Sequence, residues 1–179
     1  MLDTFNRSIS YLRVSVTDRC NLRCRYCMPE EGVKLMKHEE ILSFDEIVEV
    51  VKTAVGFGID KVRITGGEPL VRKGIVTLIE KISKIEGIAD FGLTTNGILL
   101  EDFAVDLKNA GLHRLNISLD AIDPAEFAYI TRGGDINSVL KGIDAALEAG
   151  FYNIKLNTVI DSSPEESNAR SVAEFALKK

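Results

Sequence analysis

The chain has 179 residues, is 45% hydrophobic and 27% charged, and carries a net charge of −5. That composition suits one soluble α/β-sized domain with a substantial core, and no apolar run reaches the roughly 18 residues that span a bilayer. The acidic balance argues against a broad nucleic-acid surface, while leaving room for one anionic ligand held by a few focused arginines.

Apolar, β-branched runs alternate with amphipathic segments along the chain. YLRVSV (Tyr11–Val16) reads as a first strand and Leu42–Gly58 as a first helix, with Ser43 and Glu46 at capping-box spacing and glycines at its end. Asp60–Thr65 is a strand, Ile75–Ile85 a helix, Phe91–Thr95 a strand and Leu100–Ala110 a helix. His113–Leu119 is the fourth strand, followed by helices over Pro124–Ile130 and Ile136–Ala149. Asn153–Ile160 is the fifth strand and Glu165–Leu177 a closing helix.

Repeated strand–helix units predict a parallel sheet covered by helices, either doubly wound or part of a barrel. Both designs collect functional groups at the carboxyl ends of the strands. This chain puts its unusual residues there: three cysteines after the first strand, GGEP after the second, TTNG at the third and NISLD at the fourth. Their position points to an enzyme.

Cys20, Cys24 and Cys27 are the only cysteines and form C-x3-C-x2-C in the polar stretch TDRCNLRCRYCMPEEG. Their spacing would also fit one face of a core helix, but the intervening asparagine, arginines and tyrosine are too polar for that. Three cysteines cannot all pair, and their crowding suits a metal site in a reducing cytoplasm better than a disulfide framework. The N-terminus, MLDTFNRSIS, has no secretory pattern. Structural zinc usually has four protein ligands, and only His38 and His113 could supplement the thiols. Three thiolates can instead hold a [4Fe–4S] cube by three irons, leaving the fourth open to an exogenous ligand.

CNLRCRYC, with aromatic Tyr26 before the last cysteine, resembles the signature of radical S-adenosylmethionine (SAM) enzymes. The resemblance implies a partial (β/α) barrel, about five of whose six units lie in this chain. It also implies a [4Fe–4S] cluster on Cys20, Cys24 and Cys27, with SAM on the open iron. ITGGEPL alone reads as a Gly-rich turn and TTNG as ordinary strand-end chemistry. Within the family, Tyr26, Gly67 and Ser118 become SAM contacts and Thr94 a substrate contact.

A finer resemblance runs along the chain. NRSISYLRVSVTDRCNLRCRYCMPEEG, LSFDEI, KVRITGGEPLVRK, GLTTNGILL, LHRLNISLDAID and IKLNTVI are similar to the GTP 3′,8-cyclase (MoaA) family of molybdenum-cofactor biosynthesis. That resemblance implies GTP as substrate, a low-potential electron donor, homodimeric assembly and triphosphate contacts from Arg13, Arg63 and Lys155. A basic residue among apolar strand neighbours must face solvent or an internal anion, since parallel strands are covered. The competing readings are a radical SAM enzyme acting on a peptide or another cofactor precursor, and a non-catalytic metal-binding module.

The resemblance covers only the first half of that family. Residues 1–179 are therefore expected to form a C-terminally incomplete core domain, without the family's second [4Fe–4S] cluster and with an exposed apolar edge on the fifth strand. Two departures are local: Gly74 stands where an acidic residue is usual, which weakens the N-cap of the second helix, and Asp161–Ser171 lacks the expected Gly–Val–Asn turn.

Overall fold

The computed structural model describes residue 2, residues 4–160 and residues 167–179. Five parallel strands, β1 (Tyr11–Ser15), β2 (Lys61–Thr65), β3 (Asp90–Thr95), β4 (Arg114–Ser118) and β5 (Ile154–Asn157), lie side by side in chain order. They alternate with helices α1 (Phe44–Gly56), α2 (Ile75–Ser83), α3 (Leu100–Asn109), α4 (Pro124–Thr131), α5 (Ile136–Glu148) and α6 (Ser167–Ala176). A doubly wound sheet reverses its strand order at a switch point. Here there is no reversal, so the sheet is part of a β/α barrel.

The period-2 alternation of strand side chains sorts the two faces of the sheet. Val62, Ile64, Phe91, Leu93, Leu115 and Ile117 point outward and are fully or almost fully buried under the helices. Ile47 and Val51 of α1, Leu78, Ile79 and Ile82 of α2, Leu107 of α3 and Val139 of α5 meet them from the helix layer. Each such side chain contributes about 1.5–3 kcal/mol of burial. Gly142 lets α5 close on the start of α3, since a Cβ there would lie 2.7 Å from the Gly97 carbonyl oxygen.

The element boundaries follow local chemistry. Ser43 and Glu46 form the reciprocal capping box expected of them, so α1 begins at Phe44 rather than Leu42. Gly74 occupies the N-cap of α2 in a left-handed conformation with no side-chain cap, as its sequence departure implied. The fifth strand was expected to run to Ile160, but its ladder stops at Asn157. Beyond it, the Thr158 hydroxyl donates to the Leu119 carbonyl at 2.8 Å and the Val159 N–H donates to Asp120 Oδ1 at 2.9 Å. The Leu119 carbonyl and the Asp120 carboxylate, just beyond β4, thus replace the ladder. The predicted start of the last helix at Glu165, and most of the Asp161–Ser171 turn, lie outside the described residues. Among the described residues no helix is long and apolar enough to cross a membrane.

Candidate functional site

The cysteine loop leaves β1 at the carboxyl rim of the sheet. A helix C-terminus leaves its last carbonyls without intrahelical partners, and the end of α4 offers them to this loop. The Arg23 and Arg25 N–H groups donate to the Thr131 and Ile130 carbonyls at 3.2 and 2.9 Å. The Arg25 side chain donates to the Tyr129 carbonyl at 2.8 Å while its guanidinium stacks 3.8 Å from the Tyr129 ring. Within the loop, the Cys27 and Met28 N–H groups both donate to the Cys24 carbonyl, at 2.9 and 3.1 Å. Cys20 and Cys24 are half-buried, Cys27 is exposed, and all three are free thiols.

The GGEP turn is fitted against the start of that loop. The Gly67 N–H donates to the Thr17 carbonyl at 2.6 Å and the Glu68 N–H to the Arg19 carbonyl at 2.8 Å. A Cβ on Gly67 would stand 2.2 Å from the Arg19 carbonyl oxygen, and one on Gly66 2.6 Å from that of Thr17. Glycine was expected here for close approach to a ligand; the approach seen is to the chain's own backbone.

Glu68 is 1% exposed. Its Oε1 accepts the Leu70 N–H at 3.0 Å and the Thr95 hydroxyl at 2.8 Å, and its Oε2 accepts the Asn96 N–H at 2.7 Å. Burial pushes its carboxyl above the usual range, against the pull of these three hydrogen bonds. Asn96 carries the link onward: its Nδ2 donates to Asn21 Oδ1 at 2.8 Å and lies 3.8 Å from Cys20 Sγ. Its own Oδ1 accepts the Ile98 N–H at 3.1 Å, the turn chemistry read for TTNG.

Tyr26 reaches across the rim, its hydroxyl donating to Asp120 Oδ2 at 2.7 Å. Burial, and then the hydrogen bond to the Asp120 carboxylate, push the phenol well above its ordinary range. Burial likewise raises Cys20 and takes the Cys24 thiol to about 11, with the charges of Asp120 and the other thiols adding to the effect on Cys24. Among the described residues no three His, Cys, Asp or Glu side chains converge as a ready metal-binding group. The donor set nevertheless fits an iron–sulfur cluster. Three soft thiols share one anchored loop and lie close enough for Cys20 and Cys24 to feel the charge of Cys27.

The inner face of the sheet, opposite the helices, is polar. Strand pairing aligns Arg13 with Arg63, Arg63 with Gly92, Gly92 with Arg114, Thr94 with Asn116 and Asn116 with Lys155. These residues surround an open cavity of about 340 Å³, lined by Tyr11, Arg13, Arg63, Thr94, Arg114, Asn116, Lys155 and Asn157. Arg63 forms its floor, 5% exposed, with Nε and Nη1 buried and without a hydrogen-bond partner. Gly92 lies beside this floor, where a Cβ would meet Arg63 Nη2 in ordinary van der Waals contact at 3.6 Å. Arg114 is held by an ion pair with Asp90. Among the described residues Arg13, Arg63 and Lys155 have no acidic partner within ion-pair distance. Asn116 is also buried, with an unpartnered Oδ1.

The structure therefore gathers the four residues read as substrate contacts, Arg13, Arg63, Thr94 and Lys155, around one cavity. Tyr26 and Gly67 sit at the rim with the cysteines, and Ser118 ends β4 on the inner face beside Asn157. Sequence reasoning passed over Tyr11, Arg114 and Asn116, although all share strand parity with the arginines it chose. It also passed over Asn96, Asp120 and Arg132, whose roles depend on contacts distant in sequence.

The family model of the Radical SAM superfamily matches residues 14–175. The chain belongs to the radical SAM superfamily. Members of this superfamily use a [4Fe–4S] cluster and SAM. Over 178 residues the chain is 58% identical to the GTP 3′,8-cyclase of Thermodesulfovibrio yellowstonii, covering 99% of this chain and 54% of that protein. It is 55% identical to the GTP 3′,8-cyclase of Alkaliphilus oremlandii, covering 100% of this chain and 56% of that protein. The chain thus spans about half the length of the curated relatives it matches. Among solved structures, Streptococcus suis SuiB bound to precursor peptide SuiA superposes with a TM-score of 0.75 at 17% identity, covering 94% of this chain and 37% of SuiB. That likeness shows the shared fold alone.

Proposed function

We propose that this chain is the cluster- and SAM-binding core of a GTP 3′,8-cyclase, a lyase of molybdenum-cofactor biosynthesis. The observation that carries the reading is the buried guanidinium of Arg63, whose Nε and Nη1 lack hydrogen-bond acceptors, at the floor of a cavity that also receives Arg13 and Lys155. Buried guanidinium N–H groups without acceptors are costly, and an oligophosphate supplies the missing acceptors. The high identity to two GTP 3′,8-cyclases supports the choice of GTP.

In this reading Cys20, Cys24 and Cys27 hold the [4Fe–4S] cluster, and Tyr26, Gly67 and Ser118 border the SAM. When held by these cysteines, the cluster would supply one-electron reduction of SAM, and SAM the hydrogen-abstracting chemistry that acts on the ribose of GTP. The chain's own residues position and shield. Arg63, Arg13 and Lys155 neutralise the triphosphate, and Thr94 offers it a hydroxyl. Asn116, next to Thr94 across the ladder, places a second polar group on the same wall. The Asp90 pair holds Arg114 in the cavity wall. Glu68 and Asn96 fix the GGEP turn relative to Cys20, so that the rim and the cavity keep a set distance.

Three free thiols on one loop suit a reducing compartment, which supports a cytoplasmic location in this reading. A low-potential electron donor and homodimeric assembly belong to the same reading and rest on the resemblance. Calorimetric titration of GTP into the chain tests it. We expect binding that weakens at least about tenfold in Arg63→Ala and falls with added salt. GTP affinity equal in wild type, Arg63→Ala and Lys155→Ala would refute it.

A further inference from the structure

Arg132 follows α4 and caps it in the left-handed conformation, at φ 56° and ψ 56°. Arg132 and Asn6 are the two non-glycine residues with positive φ among those described. A side chain is strained in that region, where glycine would sit freely, and such strain persists only when its surroundings hold it. Glycines stand directly after it at positions 133 and 134, so the chain does not lack glycine here, yet the left-handed cap falls on arginine.

The side chain accounts for the placement. Arg132 Nη1 donates to the Arg23 carbonyl at 2.8 Å and to the Met28 carbonyl at 2.9 Å. These two carbonyls bracket Cys24 and Cys27. One guanidinium nitrogen thus draws together the two ends of the segment that carries two of the three thiols. The same helix end receives the Arg23 and Arg25 N–H groups, so the segment is held from both its amide and its carbonyl side. Gly134 completes the dock, since a Cβ there would lie 3.0 Å from Leu22 Cδ2 and 2.6 Å from Thr131 Oγ1.

We propose that Arg132 is a positioning residue for the cysteine loop: fixed by its left-handed cap, its guanidinium holds residues 23–28 in the arc from which Cys24 and Cys27 join Cys20 on one cluster. The inference rests on the loop being the cluster site. It does not depend on the identity of the substrate.

Arg132→Gly separates backbone from side chain, because glycine keeps the left-handed cap without strain while the clamp is removed. Arg132→Lys restores a cation with donors but without the planar fork. Amide hydrogen exchange on the metal-free chain reads the loop directly. We expect the Arg23 and Arg25 amides to exchange roughly tenfold faster in Arg132→Gly, with the thermal midpoint kept or raised and Arg132→Lys lying between. After anaerobic loading with iron and sulfide, the glycine variant should lose iron to a chelator several times faster than wild type, and its cluster EPR signal should broaden. Unchanged exchange of those amides would overturn the proposal, as would faster exchange with wild-type iron retention and signal. A wild-type chain that takes up no iron would sink the underlying reading of the loop, a failure visible without any variant.

Discussion

Tyr26 and Asp120 are joined by a 2.7 Å hydrogen bond across the open rim of the sheet, although 94 residues separate them. The other Asp120 oxygen accepts the Val159 N–H at 2.9 Å. One buried carboxylate therefore ties the cysteine loop after β1 to the segment after β5. Removing it should release both. We expect Asp120→Ala to cost about 1–3 kcal/mol, the usual penalty for stranding buried hydrogen-bond donors. Its effect on Tyr26 can be read optically. The raised phenol should titrate nearer its ordinary range in the variant, because a cause of the upward shift has gone. An unchanged ultraviolet titration would contradict the part given to that hydrogen bond.

Glu68 gives a second test. Glutamine keeps its size but offers one acceptor oxygen where the carboxylate serves three donors. Glu68→Gln should lower stability by about 1–3 kcal/mol in urea unfolding and loosen Asn96 from Cys20. A wild-type midpoint would mean that the network is dispensable.

Two glycines should respond with opposite signs. Gly67→Ala must push its new methyl group into the Arg19 backbone, 2.2 Å away, which only movement of the whole rim can relieve. A loss of about 3 kcal/mol or more, or failure to fold, is expected. Gly56, the last residue of α1, has nothing within 4 Å of its added Cβ, so Gly56→Ala should stabilise by about 0.4–1 kcal/mol. Thermal melts of the pair decide whether close approach or mere turn preference explains the GGEP glycines.

The Asp90–Arg114 pair sets a pH dependence. The hydrogen bond from Arg114 holds the Asp90 carboxyl below its usual range, so the folded state prefers the ionised form. Its stabilising contribution is complete above the unfolded carboxylate range, near pH 4, and is lost as pH falls through the lower folded value. Asp90→Asn should therefore destabilise at pH 7 and converge with wild type in acid. Parallel melting curves across that window would contradict the pairing.

Much of this was legible in the sequence because it is written in local patterns. Alternating periods gave the order of strands and helices, and Ser43 with Glu46 marked the start of α1. C-x3-C-x2-C and GGEP declared themselves by residue type. The inner cavity was partly legible: Arg13, Arg63 and Lys155 stood out as charges on apolar strands. Tyr11, Arg114 and Asn116 share their parity but are less conspicuous, since Asn116 is neutral and the other two stand at strand starts. The end of β5 was not legible, because Asp120, just beyond another strand, helps terminate it. Arg132 was hidden for the same reason. Its function lies in two carbonyls more than a hundred residues earlier, and no local pattern records them.

The most direct test of the central claim is the EPR spectrum of the anaerobically reconstituted, reduced chain, recorded with and without SAM. A [4Fe–4S]⁺ signal that SAM alters, and that Cys24→Ala abolishes, is the expected result. A cluster indifferent to SAM, or one that survives Cys24→Ala, would contradict the assignment of Cys20, Cys24 and Cys27 as the three ligands that leave one iron for SAM.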